Sequence, residues 1–175
     1  MIVLVMGGSG SGKSRWAERL AVTLPGSARV YLATMQAADE ESLRRVARHR
    51  AQRADKGFRT VEASVDLANA SFPPDTAVLV EDVPNWVANE MFGGGDTARL
   101  LPALHSMAAR ARHLILVTGN VFADGVTYDA STTAYLQMLT EVNAAAAALS
   151  DAVVEIVCGL PMYLTGDIPC MRCRD

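Results

Sequence analysis

The residues most able to do chemistry lie near the start of the chain, where Gly7-Gly8-Ser9-Gly10-Ser11-Gly12-Lys13-Ser14 fits the pattern G-x-x-x-x-G-K-[ST]. Glycines let successive backbone N–H groups point inward around an anion, and the N-terminus of a following helix adds partial positive charge. Lys13 can reach the outer phosphates of a nucleotide, and the Ser14 hydroxyl can ligate Mg²⁺. We therefore predict that residues 7–14 bind phosphate. The alternative is a glycine-rich turn without a ligand.

The elements around this motif support the prediction. Apolar runs at 2–6, 29–33, 77–81, 114–118 and 152–158 alternate with helical patterns at 13–24, 39–55, 84–92, 97–111 and 131–149, and residues 57–61 predict one more short strand. Runs that are apolar throughout are typical of strands covered on both faces. The order of elements predicts an α/β fold that is P-loop NTPase-like (RecA-like), with a mostly parallel central sheet and helices on both faces.

A second group of residues lies on the helix predicted at 39–55. Arg45, His49 and Arg53 share one face at helical spacing. A neutral imidazole is a competent nucleophile toward phosphorus, and neighbouring guanidinium groups would neutralise phosphate oxygens. The alternative is a solvated basic face with a histidine that takes no part in chemistry, and the spacing alone favours it. We expect the other two histidines, His105 and His113, to lie at the surface.

Two carboxylates, Glu81 and Asp82, end the strand predicted at 77–81. A carboxylate at the carboxyl end of a strand beside a phosphate loop can hold Mg²⁺ through water or contact a base. Acidic strand ends are common, so this signal gains weight only from the loop at 7–14.

Composition and charge limit the classes of function. The 175 residues suit one nucleotide-binding domain, which we place at 1–166, followed by a C-terminal tail at 167–175. No apolar run approaches the ~20 residues of a membrane span. The first apolar run leads into the glycine loop without a basic leader, so we expect no signal peptide and a cytoplasmic protein. A net charge of −3 argues against nucleic-acid binding.

The three cysteines give weak signals. Cys158 continues an apolar run, and we expect a buried thiol. Cys170 and Cys173 form a C-x-x-C near the last residue, without a second pair of ligands that would complete a zinc site. We interpret this segment as a mobile tail without function; an adventitious disulfide or metal contact is the alternative.

With these residues in hand, the chain resembles the bifunctional adenosylcobinamide kinase / adenosylcobinamide-phosphate guanylyltransferase family of cobalamin biosynthesis. The likeness covers most of residues 1–166, and the combination of the phosphate loop with His49 and its arginines is its most specific part. It is carried by Gly7-Gly8, Ser11-Gly12-Lys13-Ser14-Arg15, Tyr31-Leu32-Ala33-Thr34, Arg45-Val46-x-x-His49-x-x-x-Arg53, Arg59-Thr60-Val61-Glu62, Leu79-Val80-Glu81, Trp86-Val87-x-Asn89, Val142-Asn143, Ser150-Asp151-Ala152-Val153 and Gly159-Leu160-Pro161.

The resemblance implies roles for individual residues. His49 matches the histidine that carries a covalent GMP, and Lys13 is the second catalytic residue. Ser14 and Glu81 would hold Mg²⁺. The residues expected to bind nucleotide are Gly7, Gly8, Ser9, Gly10, Ser11, Gly12, Lys13, Ser14, Ala33, Thr34, Met35, Arg50, Ala51, Gln52, Arg53, Glu62 and Glu81.

The resemblance also implies the reaction and its partners. ATP or GTP phosphorylates the aminopropanol hydroxyl of the corrinoid adenosylcobinamide. His49 then takes GMP from GTP and passes it to the phosphorylated corrinoid, which gives adenosylcobinamide-GDP. The family implies a homo-oligomer such as a trimer.

The chain departs from the family at Gly10, where an arginine is usual, at Gly119-Asn120-Val121-Phe122, near Thr133-Ala134-Tyr135-Leu136-Gln137, and by one inserted residue between Arg53 and Arg59. The first three departures bear on acceptor binding and on the kinase step. Two alternatives therefore stay open: a P-loop small-molecule kinase without guanylyltransferase activity, and a nucleotide-binding regulatory protein.

Overall fold

The computed structural model describes residues 1–26, 28–36, 40–119 and 126–171. In this part of the chain, the central element is a sheet of seven strands. For residues 41, 42, 45, 48, 49 and 52 the backbone is described but not the side chain. The strands are β1 (Ile2–Met6), β2 (Ala28–Ala33), β3 (Phe58–Glu62), β4 (Thr76–Glu81), β5 (His113–Val117), β6 (Ala152–Val157) and β7 (Leu160–Thr165). Their order is β3-β2-β4-β5-β1-β6-β7, and every neighbouring pair is parallel except β6 and β7.

Helices cover both faces of this sheet. They are α1 (Lys13–Thr23), α2 (Glu40–Arg53), α3 (Val83–Phe92), α4 (Leu100–Arg110) and α5 (Ala130–Leu149). The buried side of α1 packs on one face, and the buried sides of α3, α4 and α5 pack on the other. The predicted parallel sheet with helices on both faces is confirmed.

The core explains why the strands are apolar throughout. Val3 and Val5 point toward α1, whereas Leu4 between them points toward the opposite layer of helices. All three are buried, because successive side chains of a strand alternate between faces and both faces are covered here. A strand that is covered on both faces is apolar along its length, so the apolar runs mark its ends. The predicted strand bounds therefore lie within one residue of the observed ones.

One helix begins differently from the prediction at 97–111. Residues Thr97–Arg99 form a 3₁₀ turn, and α4 starts only at Leu100. The turn is capped by Asp96, whose Oδ1 accepts a hydrogen bond from the Ala98 backbone N–H at 3.0 Å. The sequence therefore indicates the start of the element correctly, and the first turn is wound more tightly than the rest.

The antiparallel strand β7 was not predicted. Val157 pairs with Leu160, so Cys158 and Gly159 alone form the turn between β6 and β7. Both have positive φ, 52° and 82°, as a two-residue hairpin of this hand requires. The expectation that Cys158 is buried is wrong: its thiol is exposed because the strand ends one residue earlier.

The segment after β7 returns to the core. Ile168 and Met171 are buried in the layer that includes α1. Cys170 is exposed, and Cys173 lies outside the described residues. The domain boundary at 166 stays a prediction. Among the described helices, none combines the length and apolar character needed to cross a membrane.

Candidate functional site

The loop of residues 7–14 joins the end of β1 to the start of α1, at the carboxyl edge of the parallel strands. A Cβ atom on Gly7 would lie 2.6 Å from Ser11 Oγ and 2.7 Å from the Ile156 carbonyl oxygen, so only glycine fits there. Gly12 is the N-cap of α1 at φ 91° and supplies no side-chain cap. The first backbone N–H groups of α1 are therefore available to an anion in the loop.

The catalytic candidate Lys13 and the metal-ligand candidate Ser14 lie in the first turn of α1. Lys13 Nζ donates to the Gly8 carbonyl oxygen at 3.2 Å, which folds its side chain back over the loop. Ser14 Oγ donates to Glu81 Oε1 at 2.5 Å. The loop and the end of β4 thus meet through one short hydrogen bond.

Glu81 is a buried carboxyl at the end of β4. Its pKa is raised to about 8, chiefly by burial and also by the negative charge of Asp82, although the Ser14 hydroxyl and Lys13 act in the opposite direction. Its Oε2 atom has no hydrogen-bond partner among the described residues. A buried carboxylate oxygen without a partner is costly, so this atom points to a ligand that completes the site.

A cavity of about 1150 Å³ opens above the loop. Its walls come from the phosphate loop, the ends of β2, β3 and β4, and one side of α2. The predicted site residues that line it are Gly7, Ser9, Gly10, Ser11, Gly12, Lys13, Ser14, Ala33, Met35, Arg50, Arg53, Glu62 and Glu81. Thirteen of the predicted residues, drawn from five separate segments of the chain, therefore surround one space of a size that suits a nucleotide.

The end of α2 contributes two arginines to this wall. Arg53 is only 5% exposed, and its guanidinium carbon lies 3.4 Å from the centre of the Tyr31 ring. Its Nε and Nη1 atoms have no hydrogen-bond partner among the described residues. Arg50 forms an ion pair with Glu62 at the end of β3. A buried cation that lines a cavity with unused donors fits an anionic ligand.

The remaining predicted residues are placed differently. Gly8 lies beside the cavity and accepts the hydrogen bond from Lys13. Ala51 is exposed on α2. The side chains of Arg45, His49 and Gln52 lie outside what the structure describes, but the backbone of His49 directly precedes that of Arg50 in α2. His105 is exposed as expected, whereas His113 is half-buried with Nε2 2.9 Å from the Pro25 carbonyl oxygen.

Thr34 is wholly buried and serves the framework of the site. Its hydroxyl donates to the Asp82 carbonyl oxygen at 2.9 Å and accepts from the Asp82 N–H at 2.8 Å. Asn89 on α3 donates to the carbonyl oxygens of Thr34 and Ser64, at 2.7 and 2.9 Å. These contacts fix the segments that follow β2, β3 and β4 relative to one another.

Two further residues of this region, Tyr31 and Asn89, were not assigned to the site by sequence reasoning. Tyr31 stacks under Arg53, and burial and the nearby Glu81 raise the pKa of its hydroxyl. Asp82 and Asn89 join the strand ends. Tyr31 and Asn89 occur in the segments that carry the family resemblance, but no spacing rule relates them, because their contacts cross between separate strands and helices.

Residues 3–164 match the model of the family described as cobinamide kinase / cobinamide phosphate guanyltransferase. The chain belongs to this family. It is 34% identical to the bifunctional adenosylcobalamin biosynthesis protein CobP of Pseudomonas aeruginosa, over 94% of this chain and 97% of that protein. It is 42% identical to the bifunctional adenosylcobalamin biosynthesis protein CobU of Escherichia coli, over 55% of this chain and 54% of that protein. The family predicted from the motifs is confirmed.

The fold of this chain also occurs outside the cobinamide kinase / guanyltransferase family. The crystal structure of the flagellar accessory protein FlaH from Methanocaldococcus jannaschii superposes with a TM-score of 0.54 at 10% identity, covering 95% of this chain and 78% of that chain. At this identity the likeness concerns the fold alone. The predicted P-loop NTPase-like fold class is confirmed.

Proposed function

We propose that this chain is a bifunctional transferase of cobalamin biosynthesis. It phosphorylates adenosylcobinamide with ATP or GTP, and it then transfers GMP from GTP through His49 to give adenosylcobinamide-GDP. The observation that carries the proposal is one shared cavity, in which the phosphate loop faces one side of α2, the helix that bears His49. A nucleotide bound in this cavity would face the phosphate loop on one side and α2 on the other.

The kinase step uses the loop side of the cavity. The acceptor hydroxyl oxygen attacks the γ-phosphorus, the bond to the bridging oxygen breaks, and the nucleoside diphosphate leaves. Lys13 and the backbone N–H groups of the loop stabilise the negative charge that spreads over the transferred phosphoryl group. Catalysis at this end is therefore mainly electrostatic and positional.

Ser14 and Glu81 fit a bound Mg²⁺. Both offer hard oxygen ligands, their oxygens lie 2.5 Å apart, and Glu81 Oε2 has no partner in the described part of the chain. When bound, the ion would neutralise charge on the phosphate oxygens. Apart from this, Glu81 accepts the hydrogen bond of Ser14 Oγ and so fixes the orientation of that hydroxyl.

The guanylyl step uses the α2 side. An imidazole nitrogen of His49 attacks the α-phosphorus of GTP, a P–N bond forms, and pyrophosphate leaves. A phosphate oxygen of the phosphorylated corrinoid then attacks the same phosphorus, and the P–N bond breaks. Arg50 and Arg53 offer guanidinium groups to the phosphate oxygens on this side of the cavity.

Labelling of the protein by GTP tests this function. Incubation with α-labelled GTP is expected to leave acid-labile, base-stable label on the wild-type protein, and adenosylcobinamide phosphate should release it. His49→Ala should abolish the label. His105→Ala, which alters an exposed histidine on α4 remote from the cavity lining, should label like the wild type. Label that persists in His49→Ala would exclude the histidine intermediate, and phosphate transfer without any label in the wild type would indicate a kinase alone.

We further propose that the protein forms a homo-oligomer such as a trimer and that it is cytoplasmic. Its partner is a small-molecule corrinoid substrate, and we expect it to bind no nucleic acid. Support for self-association comes from β7, where Leu160, Met162 and Leu164 are 69%, 52% and 53% exposed. These three alternate along the strand, so they form one apolar surface.

A further inference from the structure

Among the side chains of α2 that the structure describes, the one buried against the rest of the protein lies at the end of the helix that bears His49. In the described part of the chain, α2 shares no extensive backbone contact with another helix or strand. Of its described side chains, Leu43, Arg44, Ala47, Arg50 and Ala51 are exposed, Val46 is half-buried, and Arg53 alone is buried. The position of His49 relative to a nucleotide therefore depends on what holds the last turn of α2.

Lys56 is one of the groups that hold this turn. Its backbone N–H donates to the Arg53 carbonyl oxygen at 3.0 Å, which ties the residue to the last residue of α2. Its Nζ atom reaches across to Glu18 on α1 and lies 2.6 Å from Glu18 Oε2. The Lys56 side chain is 26% exposed and that of Glu18 is wholly buried. The chain has two lysines, Lys13 and Lys56. Lys56 plays no part in the mechanism described above.

Glu18 belongs to the helix that carries the phosphate loop. It follows Ser14 by four residues, so both side chains project from the same side of α1. A wholly buried carboxylate is strongly disfavoured unless a cation and hydrogen bonds compensate it. The ion pair therefore ties the end of α2 to the helix whose first turn holds the nucleotide phosphates. An exposed pair would be weak and adjustable, but a buried one has a defined geometry.

We propose that the Lys56–Glu18 ion pair is a positioning contact that sets the distance between His49 on α2 and the nucleotide held by the loop and α1, so that guanylyl transfer depends on it and phosphoryl transfer does not. The proposal rests on the proposed function, because it assumes that His49 is guanylylated. Phosphoryl transfer uses the loop, α1 and the end of β4, which the Ser14–Glu81 hydrogen bond joins to one another without α2.

The two activities of one protein provide the test. Lys56→Met keeps most of the side-chain length but removes the charge. At saturating nucleotide, it should slow the formation of GMP-labelled protein by at least about tenfold, since small displacements of a reacting group cost rates of this size. The rate of γ-phosphate transfer to adenosylcobinamide should stay within about threefold of the wild type. Lys56→Arg should restore most of the labelling rate, because it restores a cation opposite Glu18.

A matched control lies on the same helix. Arg44→Met removes one positive charge from α2, but the Arg44–Glu40 pair is 79% and 84% exposed, so both activities should stay at the wild-type level. If Lys56→Met does not fold, the double variant Glu18→Gln with Lys56→Met removes both charges and leaves no uncompensated buried carboxylate. This double variant should also show slow labelling and normal phosphoryl transfer.

Three outcomes overturn the inference. Folded Lys56→Met, or the double variant, could label at the wild-type rate. Both activities could fall in parallel, which would indicate general destabilisation. Lys56→Arg could fail to restore labelling. A wild-type protein that takes no label would instead refute the proposed function itself, so the two failures are distinguishable.

Discussion

At the scale of single residues, the phosphate loop depends on close backbone approach as much as on its charged groups. Gly7 lies between Ser11 of the loop and the Ile156 carbonyl of β6, and the space for a methyl group is absent on both sides. The Ile156 carbonyl belongs to the backbone of β6, a strand paired on both sides, so it moves less readily than the end of a side chain would. The requirement for glycine at this position is therefore steric.

Gly7→Ala should consequently impair nucleotide binding more than it impairs folding. Relief of contacts at 2.6 and 2.7 Å requires the loop to move away from β6, at a cost of about 1–3 kcal/mol for overpacking. This is equivalent to about a 5- to 150-fold loss of affinity if the wild-type loop geometry is needed for binding. Titration with a fluorescent GTP analogue measures the loss, and thermal melting reports the folded fraction. Binding at the wild-type affinity would contradict this explanation of Gly7.

At the scale of elements, two helices, α3 and α5, are held at their N-termini by acidic caps. Asp82 caps α3, with Oδ1 accepting from the Asn85 backbone N–H at 2.9 Å. Asp129 caps α5, with Oδ1 accepting from the backbone N–H groups of Ser131 and Thr132 at 2.8 and 3.0 Å. An acidic cap satisfies orphan N–H groups and interacts favourably with the helix dipole.

The cap of α5 predicts a pH-dependent contribution to stability. Hydrogen bonds from the Ser131 hydroxyl and then from the Thr132 backbone hold the pKa of the Asp129 carboxyl below its usual range. Because the folded-state pKa is lowered, this contribution is present above the unfolded pKa of about 3.9 and is lost as the pH falls through the folded value. Asp129→Ala should lower the urea midpoint at pH 7, and the gap to the wild type should narrow near pH 3.

The control for this experiment is Glu141→Ala, an exposed substitution in the middle of the same helix. It removes a carboxylate without removing a cap, so its urea midpoint should follow the wild type at both pH values. A constant gap between Asp129→Ala and the wild type at pH 7 and pH 3 would be inconsistent with a charged cap.

At the scale of the whole molecule, one edge of the sheet is left apolar. In the sheet of the described residues, β7 pairs with β6 alone, and its alternate residues Leu160, Met162 and Leu164 are more than half exposed. Val157 on the neighbouring strand is opposite Leu160 and is 43% exposed. Sheet edges are usually shielded by charges, proline or another chain, and this edge has Pro161 but no charged residue within the strand.

The apolar edge predicts that self-association depends on β7. The double substitution Met162→Lys with Leu164→Lys places two charges on this surface and should shift the protein toward a monomer in sedimentation velocity. Leu101→Lys, at a side chain 37% exposed on α4, serves as the control and should leave the sedimentation coefficient unchanged. A double variant that sediments like the wild type would place any subunit contact elsewhere.

The sequence alone was sufficient for the parts of the protein whose signals are local. The glycine loop, the five long apolar strands and the helices could be predicted because each is encoded by a continuous run of residues with its own spacing. The family could be predicted as well, since the loop and the Arg-Val-x-x-His-x-x-x-Arg segment are short motifs. Strand β7 was not predicted, because it is mostly exposed, contains proline and follows a turn of only two residues.

Only the tertiary structure decided which distant residues meet. Gly159 donates its N–H to the Ser11 carbonyl oxygen at 2.9 Å, Arg53 lies over Tyr31, and Lys56 reaches Glu18. Each pair joins segments that are separated in sequence and brought together by strand order and helix packing. Spacing along the chain carries no information on such contacts, because they arise from the way whole elements exclude water and fit against one another.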